Sequence, residues 1–237
     1  LIERLDGVGA ADAFAAENSR FFRMRRILID HANERGDLKS VDRLARDGLQ
    51  MSDKAKISSV SAYYRAQLIA IAPAIGGNLS ELLLSELLAQ QSNENYLRYK
   101  QSVPEREWPK ARARLLKRAK AQPDFSYFVY HMDGMWPELM EFLKSRTVTV
   151  DYVHETLQLS GAQLAAAVPD DLAYWCAQKI DLVEKKKTTT RPQFHSIAVI
   201  LMDMHKLGLN KQAAAIAERL RIKYAGQPVL VAELSGL

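Results

Sequence analysis

The chain has 237 residues, of which 48% are hydrophobic, so it can bury a substantial core and wholesale disorder is excluded. Its net charge of +5 is a moderate basic excess, compatible with an acidic protein or a nucleic acid as partner. The lone cysteine, Cys176, excludes an intramolecular disulfide and a cysteine-based zinc site, and it favours a reducing, cytoplasmic location.

No segment of the sequence is suited to crossing a membrane, because the longest apolar stretches, 68–75 and 82–89, are far too short. We therefore expect no membrane partner. The first residues do not resemble a signal peptide, and residue 1 is Leu rather than Met. The chain is accordingly expected to be part of a longer protein.

The N-terminal third is predicted to fold as antiparallel helices. Residues 19–35 carry apolar side chains at helical spacing, and Gly36 ends that helix. Asp37 can cap the next helix, so only about two residues separate the pair. So short a connection favours an αα-hairpin. A third helix is expected to start near Ser52 and Asp53, and Pro73 with Gly76 and Gly77 should end it.

The middle of the chain predicts short helices and one strongly charged helix. Ser80 is expected to cap a leucine-rich helix. The charged helix is predicted over 104–121, where Ser102 and Glu105 have the spacing of a capping box, and Pro109 either kinks it or marks its start. Residues 146–150 are predicted to form a loop. Further short helices are predicted over 96–103, 125–132, 136–143, 152–159 and 162–167.

The last third has the clearest helical periodicity. Asp170 is expected to cap one helix, and Pro192 lies in the first turn of the next, after a linker at 188–190. Gly208 ends that helix, and Asn210 caps its partner. The apolar faces of these helices consist of Leu172, Trp175, Cys176, Ile180 and Val183, then Phe194, Ile197, Ala198, Leu201 and His205, and finally Ala213, Ile216, Ala217, Leu220 and Tyr224.

These elements predict an all-α fold. Helix starts recur at roughly 34–40 residues, a spacing typical of helical solenoids. The sequence therefore favours an α-α superhelix of antiparallel helix pairs, a tetratricopeptide-like solenoid. We expect one helical-repeat domain over 1–237, with a candidate sub-boundary near 102–104.

Several short segments from Tyr96 onward carry a family resemblance. They are YLRY at 96–99, VPEREW at 103–108, ARARLL at 111–116, PDDL at 169–172, RPQF at 191–194 and RLRIKY at 219–224. Together they resemble the helical region that follows the zinc finger in bacterial SWIM zinc-finger proteins. The resemblance implies a tetratricopeptide-like scaffold that binds proteins. The family's Cys-x-Cys and Cys-x-His pattern is absent here, so the DNA-binding role of the finger does not transfer.

The charged helix is the first candidate for partner binding. Its cations could contact phosphate or an acidic peptide. They are spread around the helix, however, so a solvated outer face explains them as well. The candidate residues on this helix are Arg106, Lys110, Arg114 and Lys117.

A second basic candidate lies near the N-terminus, where Arg20, Arg23 and Arg26 share a face of the predicted helix. This arrangement could contribute to an anion-binding surface. The alternative is a solvated or interhelical face, because Asp30 has the spacing to pair with Arg26.

Three tyrosines, Tyr63, Tyr96 and Tyr99, are the aromatic residues that we expect to reach the surface. Exposed aromatic rings can stack on bases or line a peptide groove. Most aromatic residues of this chain lie at helical core spacing, so packing in the interior is the alternative for these three as well.

Neither a metal site nor a cofactor is predicted. The chain has five histidines, none of them four residues from another, and His195 and His205 are too far apart on one helix to share a metal. Cys176 lies on an apolar helix face, where burial is expected. Since no Gly-x-Ser-x-Gly or glycine-rich phosphate loop occurs, no catalytic residue is predicted and the chain is expected not to be an enzyme.

The sequence thus favours a noncatalytic scaffold that binds a protein or peptide, preferably an acidic one, on a concave surface. Nucleic-acid binding through the basic helices is the alternative function. A helical-repeat base-excision glycosylase is a third alternative, and it would need a carboxylate that faces a basic groove beside aromatic residues.

Overall fold

The computed structural model of the chain describes residues 2–119, 122–184 and 190–234, and within these ranges every regular element is helical. The all-α prediction is therefore confirmed. A 3₁₀ turn lies at Glu105–Glu107. In chain order the helices are α1 (Ile2–Glu17), α2 (Phe22–Glu34), α3 (Leu38–Lys54), α4 (Ser58–Ile75), α5 (Leu79–Ala89), α6 (Asn93–Gln101), α7 (Trp108–Ala119), α8 (Pro123–Met132), α9 (Trp136–Lys144), α10 (Val150–Ala167), α11 (Pro169–Glu184), α12 (Arg191–Lys206), α13 (Asn210–Lys223) and α14 (Pro228–Ala232).

Polar side chains cap several helices, because they accept hydrogen bonds from backbone N–H groups that lack a helical partner. Asp37 accepts such a bond at 3.1 Å before α3, as predicted. The cap of α5 is Asn78, which also accepts at 3.1 Å, so the prediction of Ser80 is wrong. Ser80 lies in the first turn of α5, and its hydroxyl instead donates to the carbonyl of Ser102 at 2.8 Å.

The predicted start of the third helix is wrong. Instead of beginning at 52, α4 begins after Ile57, and α3 continues through Ser52. The turn between them places Lys56 at a φ of 57°, while the N–H of Ile57 donates to the carbonyl of Ser52 at 2.9 Å. Glycine usually occupies such a left-handed position, so a lysine there leaves no signal in the sequence.

The N-terminal boundaries also differ from the prediction. Helix α1 precedes the first predicted helix and is interrupted at Gly7, whose φ is 86°. Helix α2 begins at Phe22 rather than near Ser19. Arg20 therefore lies outside the helix and does not share a helical face with the arginines that follow it.

The charged helix begins at Trp108, with Pro109 in its first turn, which is one of the two predicted alternatives. The prediction of a capping box between Ser102 and Glu105 is wrong. Ser102 follows the last residue of α6, and its hydroxyl donates to the carbonyl of Tyr99 at 2.7 Å. Glu105 belongs to the 3₁₀ turn.

The two short helices predicted over 152–159 and 162–167 form one continuous helix, α10. Gly161, the apparent break, is an interior position of this helix. A Cβ there would lie 2.7 Å from Cδ1 of Leu207, so the glycine permits close helix packing and does not end the helix. The loop predicted at 146–150 is confirmed up to Thr149, which caps α10.

The chain divides into two compact units, Leu1–Arg114 and Leu115–Leu237. The division falls inside α7, beyond the 102–104 segment where the sequence suggests a sub-boundary. In the first unit, α3 packs against α2 and against α4. The core between these three helices includes Ile29, Val41, Leu44, Ala45, Tyr64, Leu68 and Ile71.

The second unit has its core among α9 to α13. The apolar faces predicted for α11, α12 and α13 are buried there, except for His205, which is exposed. The indole N–H of Trp175 donates to the carbonyl of Leu143 at 3.2 Å, so this ring is packed and also hydrogen-bonded. Of the linker predicted at 188–190, only Thr190 belongs to the described residues.

Cys176 is fully buried in this core, and burial, together with the charge of Asp203, raises the pKa of its thiol to about 12. The thiol therefore stays protonated at pH 8, whereas the thiolate is the reactive form. We expect a thiol-specific disulfide reagent to leave the native chain unmodified over hours. The same reagent should modify one thiol per chain at once in denaturing guanidinium chloride. Rapid reaction of the native chain would contradict the burial.

Candidate functional site

A charged cleft lies in the first unit, between the start of α5 and the connection from α6 to α7. We refer to it as the α5–α7 cleft. Its volume is about 290 Å³. The lining residues are Asn78, Ser80, Glu81, Tyr99, Val103, Pro104, Glu107, Lys110, Ala111 and Arg114.

Local hydrogen bonds and ring packing hold the walls of the α5–α7 cleft in place. The bond from Ser80 to the Ser102 carbonyl joins the start of α5 to the end of α6. On the opposite side, the rings of Tyr96 and Tyr99 each contact Trp108 edge-on, with centroids 5.8 Å apart in both pairs. These contacts attach α6 to the beginning of α7 and so position the charged residues that follow.

The α5–α7 cleft combines charges of both signs. Lys110 and Arg114 lie one helical turn apart on α7, are exposed, and have no ion-pair partner among the described residues. Glu81 and Glu107 line the same cleft, and Glu107 also lies 3.8 Å from Nε of Arg106. Such a mixture suits a peptide, which presents backbone polar groups and side chains of either charge, better than a uniformly anionic phosphate chain.

The expectation that Tyr96 and Tyr99 reach the surface is wrong, because their exposed fractions are 0% and 4%. Trp108 covers both rings, and its own exposed fraction is 7%. The helical spacing of the two tyrosines is the signal for this burial. Tyr99 still contributes to the wall of the α5–α7 cleft.

Tyr63 is only partly buried, and it belongs to a different surface. Burial, with the nearby charge of Asp30, raises the pKa of Tyr63 to about 12. The guanidinium of Arg26 lies 5.6 Å from the centre of the ring, and the same arginine pairs with Asp30 at 3.7 Å. The predicted spacing of Arg26 and Asp30 is thus realised, and this arginine is engaged within its own helix.

The N-terminal arginines do not form one patch with a common role. Arg20 lies 4.8 Å above the ring of Phe21, whereas Arg23 is exposed on α2. Arg25, which the sequence analysis did not select, is 7% exposed and is the arginine of this segment that points inward. Its position on the buried side of α2 follows from the same helical periodicity that places Ile29 in the core.

The remaining candidates are surface residues of the charged segment. Arg106 lies in the 3₁₀ turn next to Glu107, and it does not line the α5–α7 cleft. Lys117 is exposed further along α7, in the second unit. The structure therefore brings together Tyr99, Lys110 and Arg114, and it leaves the other candidates apart from them.

Three of the histidines make polar contacts with side chains that are close in space. His31 lies 2.6 Å from Asp12, His154 lies 2.6 Å from Asp203, and His131 lies 2.7 Å from Oγ of Ser160. In the part of the chain that the structure describes, no group of three or more potential ligands could hold a metal ion. Ser160 is fully buried, so its hydroxyl cannot meet a substrate.

The hydrogen bond from His31 and the nearby Arg35 hold the pKa of the Asp12 carboxyl below its ordinary value, although burial opposes them. This contact ties α1 to α2 and is structural.

The fold and these contacts define the class of the chain as an all-α protein of packed helices. Across the described ranges, none of the helices has the length and apolarity that crossing a membrane requires. A scan against protein-family models and searches of curated proteins and of solved structures found no match. The resemblance to the helical region of SWIM zinc-finger proteins accordingly stays a prediction.

Proposed function

We propose that the chain is a noncatalytic helical scaffold that binds a segment of a partner protein in the α5–α7 cleft. The observation that carries this proposal is that one cleft is lined by Lys110 and Arg114, which have no ion-pair partner in the described part of the chain, and by the carboxylates of Glu81 and Glu107. A peptide with an acidic residue next to a basic or amide side chain complements that arrangement.

The wider architecture of the proposal is an α-α superhelix of tetratricopeptide-like character, as in the helical region of SWIM zinc-finger proteins. Support comes from the short connections between helices that pack against each other in sequence, such as α2 with α3 and α3 with α4. In such folds each helix pair buries its apolar face against the next, and the exposed faces bind partners. The single buried thiol, Cys176, suits a reducing, cytoplasmic environment.

Nucleic-acid binding is the second candidate, and it is favoured by the same two cations on α7, for which the described residues provide no ion-pair partner. Phosphate would, however, meet Glu81 and Glu107 in the α5–α7 cleft, and like charges at close range are unfavourable. The glycosylase alternative has less support, because Tyr99 is buried and cannot stack on an extruded base.

Selection of a random-peptide library on the immobilised chain tests the proposal. We expect enriched peptides that contain acidic residues, and fluorescence anisotropy then measures their affinity. The double substitution Lys110→Glu with Arg114→Glu should weaken binding at least about tenfold, the equivalent of about 1.4 kcal/mol, because it replaces attraction by repulsion.

The matched control is Lys39→Glu with Lys211→Glu, which changes the net charge equally at exposed positions outside the cleft. This variant should keep the affinity of the wild-type chain. Equal weakening by both double substitutions would show that only net charge matters, and it would contradict the proposal. Binding of a labelled DNA or RNA oligonucleotide that displaces the peptide and falls steeply with salt would support the alternative function instead.

A further inference from the structure

A second cleft in the first unit lies between α2, the end of α3 and the start of α4. We refer to it as the Arg25 cleft. It has a volume of about 190 Å³, and its lining is mainly apolar. Among the described residues, its lining holds two arginines, Arg20 and Arg25, and no acidic side chain. The apolar part of its wall consists of Phe22, Gly48, Met51, Ala55, Ile57, Val60 and Tyr64.

The guanidinium of Arg25 is nearly buried, yet it has no carboxylate partner within 4.0 Å among the described residues. Its hydrogen bonds go to neutral acceptors, namely the carbonyls of Ser19 at 3.1 Å and Leu44 at 3.3 Å, and Sδ of Met51 at 3.1 Å. These bonds hold the side chain in place, but they leave its charge uncompensated. A buried charge without a counterion is unfavourable, so a ligand that brings an anion here recovers that cost.

Exposed apolar side chains border the same cleft. Met51 and Ile57 are 45% and 49% exposed, although water contact is unfavourable for both. One wall is unusually close-packed, because the ring of Tyr64 lies directly against Gly48. The cleft thus offers an apolar surface of fixed shape beside a positive charge.

We propose that the Arg25 cleft binds an acidic segment of a partner protein that carries a leucine-sized side chain next to a carboxylate. The volume is below the range of about 300–1,000 Å³ typical of small-molecule sites, so it suits one anchoring side chain. The apolar group would pack against Met51 and Ile57, while the carboxylate would lie near Arg20 and Arg25. This site lies outside the α5–α7 cleft, and it does not depend on the function proposed for that cleft.

Methyl-labelled methionine provides the test, because Met51 lines the cleft and is one of seven methionines in the chain. Its NMR signal is assigned by its loss in Met51→Leu. The probe is the peptide acetyl-Glu-Glu-Leu-Glu-Glu-amide, titrated into the full chain. We expect a saturable shift of the Met51 signal, and no saturable shift when serine replaces the leucine or lysines replace the glutamates.

Two substitutions should weaken this binding without unfolding the chain. Ile57→Asp places a carboxylate in the cleft and should weaken binding at least about tenfold. Ile57 is the N-cap of α4 and its side chain makes no capping bond, so aspartate is favourable there. Arg20→Gln should weaken binding about threefold, since this arginine is at the exposed rim.

Arg23→Gln is the matched control, because Arg23 is exposed on α2 and does not line the Arg25 cleft. This variant and the Lys110→Glu, Arg114→Glu variant should both give the saturable Met51 shift with the wild-type affinity, since neither changes a residue that lines the Arg25 cleft. The proposal is overturned if the wild-type chain gives no saturable shift, if the lysine peptide binds equally well, or if Ile57→Asp binds unchanged while its circular dichroism is native. A Met51 shift caused by an RNA oligonucleotide, with none from the peptide, would also overturn it.

Discussion

Replacement of Trp175 by alanine is expected to lower the free energy of unfolding by about 3–5 kcal/mol, the range typical for large aromatic residues in a core. Trp175 has an exposed fraction of 0%, so the substitution would leave a cavity among α9 to α13. It would also remove the N–H donor to the Leu143 carbonyl. A loss of this size is a large part of the about 5–15 kcal/mol by which domains are typically stable, so the denaturation midpoint of the second unit should fall clearly.

Tyr174→Ala is a close control, because the neighbouring ring is 60% exposed on the same helix. Its effect should stay within about 0.5 kcal/mol. Urea denaturation followed by far-ultraviolet circular dichroism gives both values. Because Trp108 is also buried, tryptophan fluorescence should lose part of its buried component in Trp175→Ala and none of it in Tyr174→Ala. Similar stability of the two variants would show that Trp175 is not packed as described.

Gly48→Ala is expected to destabilise the first unit by about 1–3 kcal/mol, the cost of inserting atoms into a packed core. In an ordinary helix interior, replacing glycine by alanine stabilises by about 1 kcal/mol. The sign of the change in unfolding free energy therefore shows whether Tyr64 packs against position 48. A Cβ at position 48 would lie 2.3 Å from Cζ of Tyr64 and 2.5 Å from Cε1. The ring is 2% exposed and contacts Phe22 and Tyr63 edge-on, so it cannot move aside freely.

Gly9→Ala in α1 is the control, because a Cβ there meets no atom within 4 Å. It should be neutral or slightly stabilising in the same denaturation experiment. The cause can also be tested by a double-mutant cycle, since Tyr64→Leu removes the ring atoms that would clash. The cost of Gly48→Ala should then become smaller in the Tyr64→Leu background. If Gly48→Ala destabilises the Tyr64→Leu variant as much as the wild-type chain, a clash with the ring of Tyr64 is not the cause.

Helix content and the buried faces of the last third could be predicted from the sequence. Leu172, Trp175, Cys176, Ile180 and Val183 repeat at helical spacing and are all buried. The reason is local, because apolar side chains three and four residues apart necessarily share one side of a helix. The Asp37 cap and the role of Pro109 in the first turn of α7 were predictable for the same reason.

Errors occurred where a non-local contact decides the outcome. Lys56 follows α3 in a conformation that usually marks glycine, and Gly161 lies inside α10, where Leu207 packs against it. Tyr96 and Tyr99 were expected at the surface, but Trp108 covers them. For Lys56 the turn lacks its usual residue, and for Gly161 the packing partner lies elsewhere along the chain, so the neighbouring residues carry no signal at these two positions. The burial of the two tyrosines was indicated by their helical spacing, which had left interior packing as the alternative.

For the candidate site, residue types on the charged helix selected Lys110 and Arg114, because long basic side chains remain at the surface, but they selected Arg106 and Lys117 equally, and these two do not line the cleft. Two features depend on how α2 to α7 pack in the first unit, namely the two carboxylates that share the cleft with Lys110 and Arg114 and the lack of a counterion for Arg25 among the described residues. Local periodicity therefore accounts for which residues form helices and face inward. Three-dimensional packing alone decides which charges meet, since electrostatic partners are set by distance in space rather than by separation along the chain.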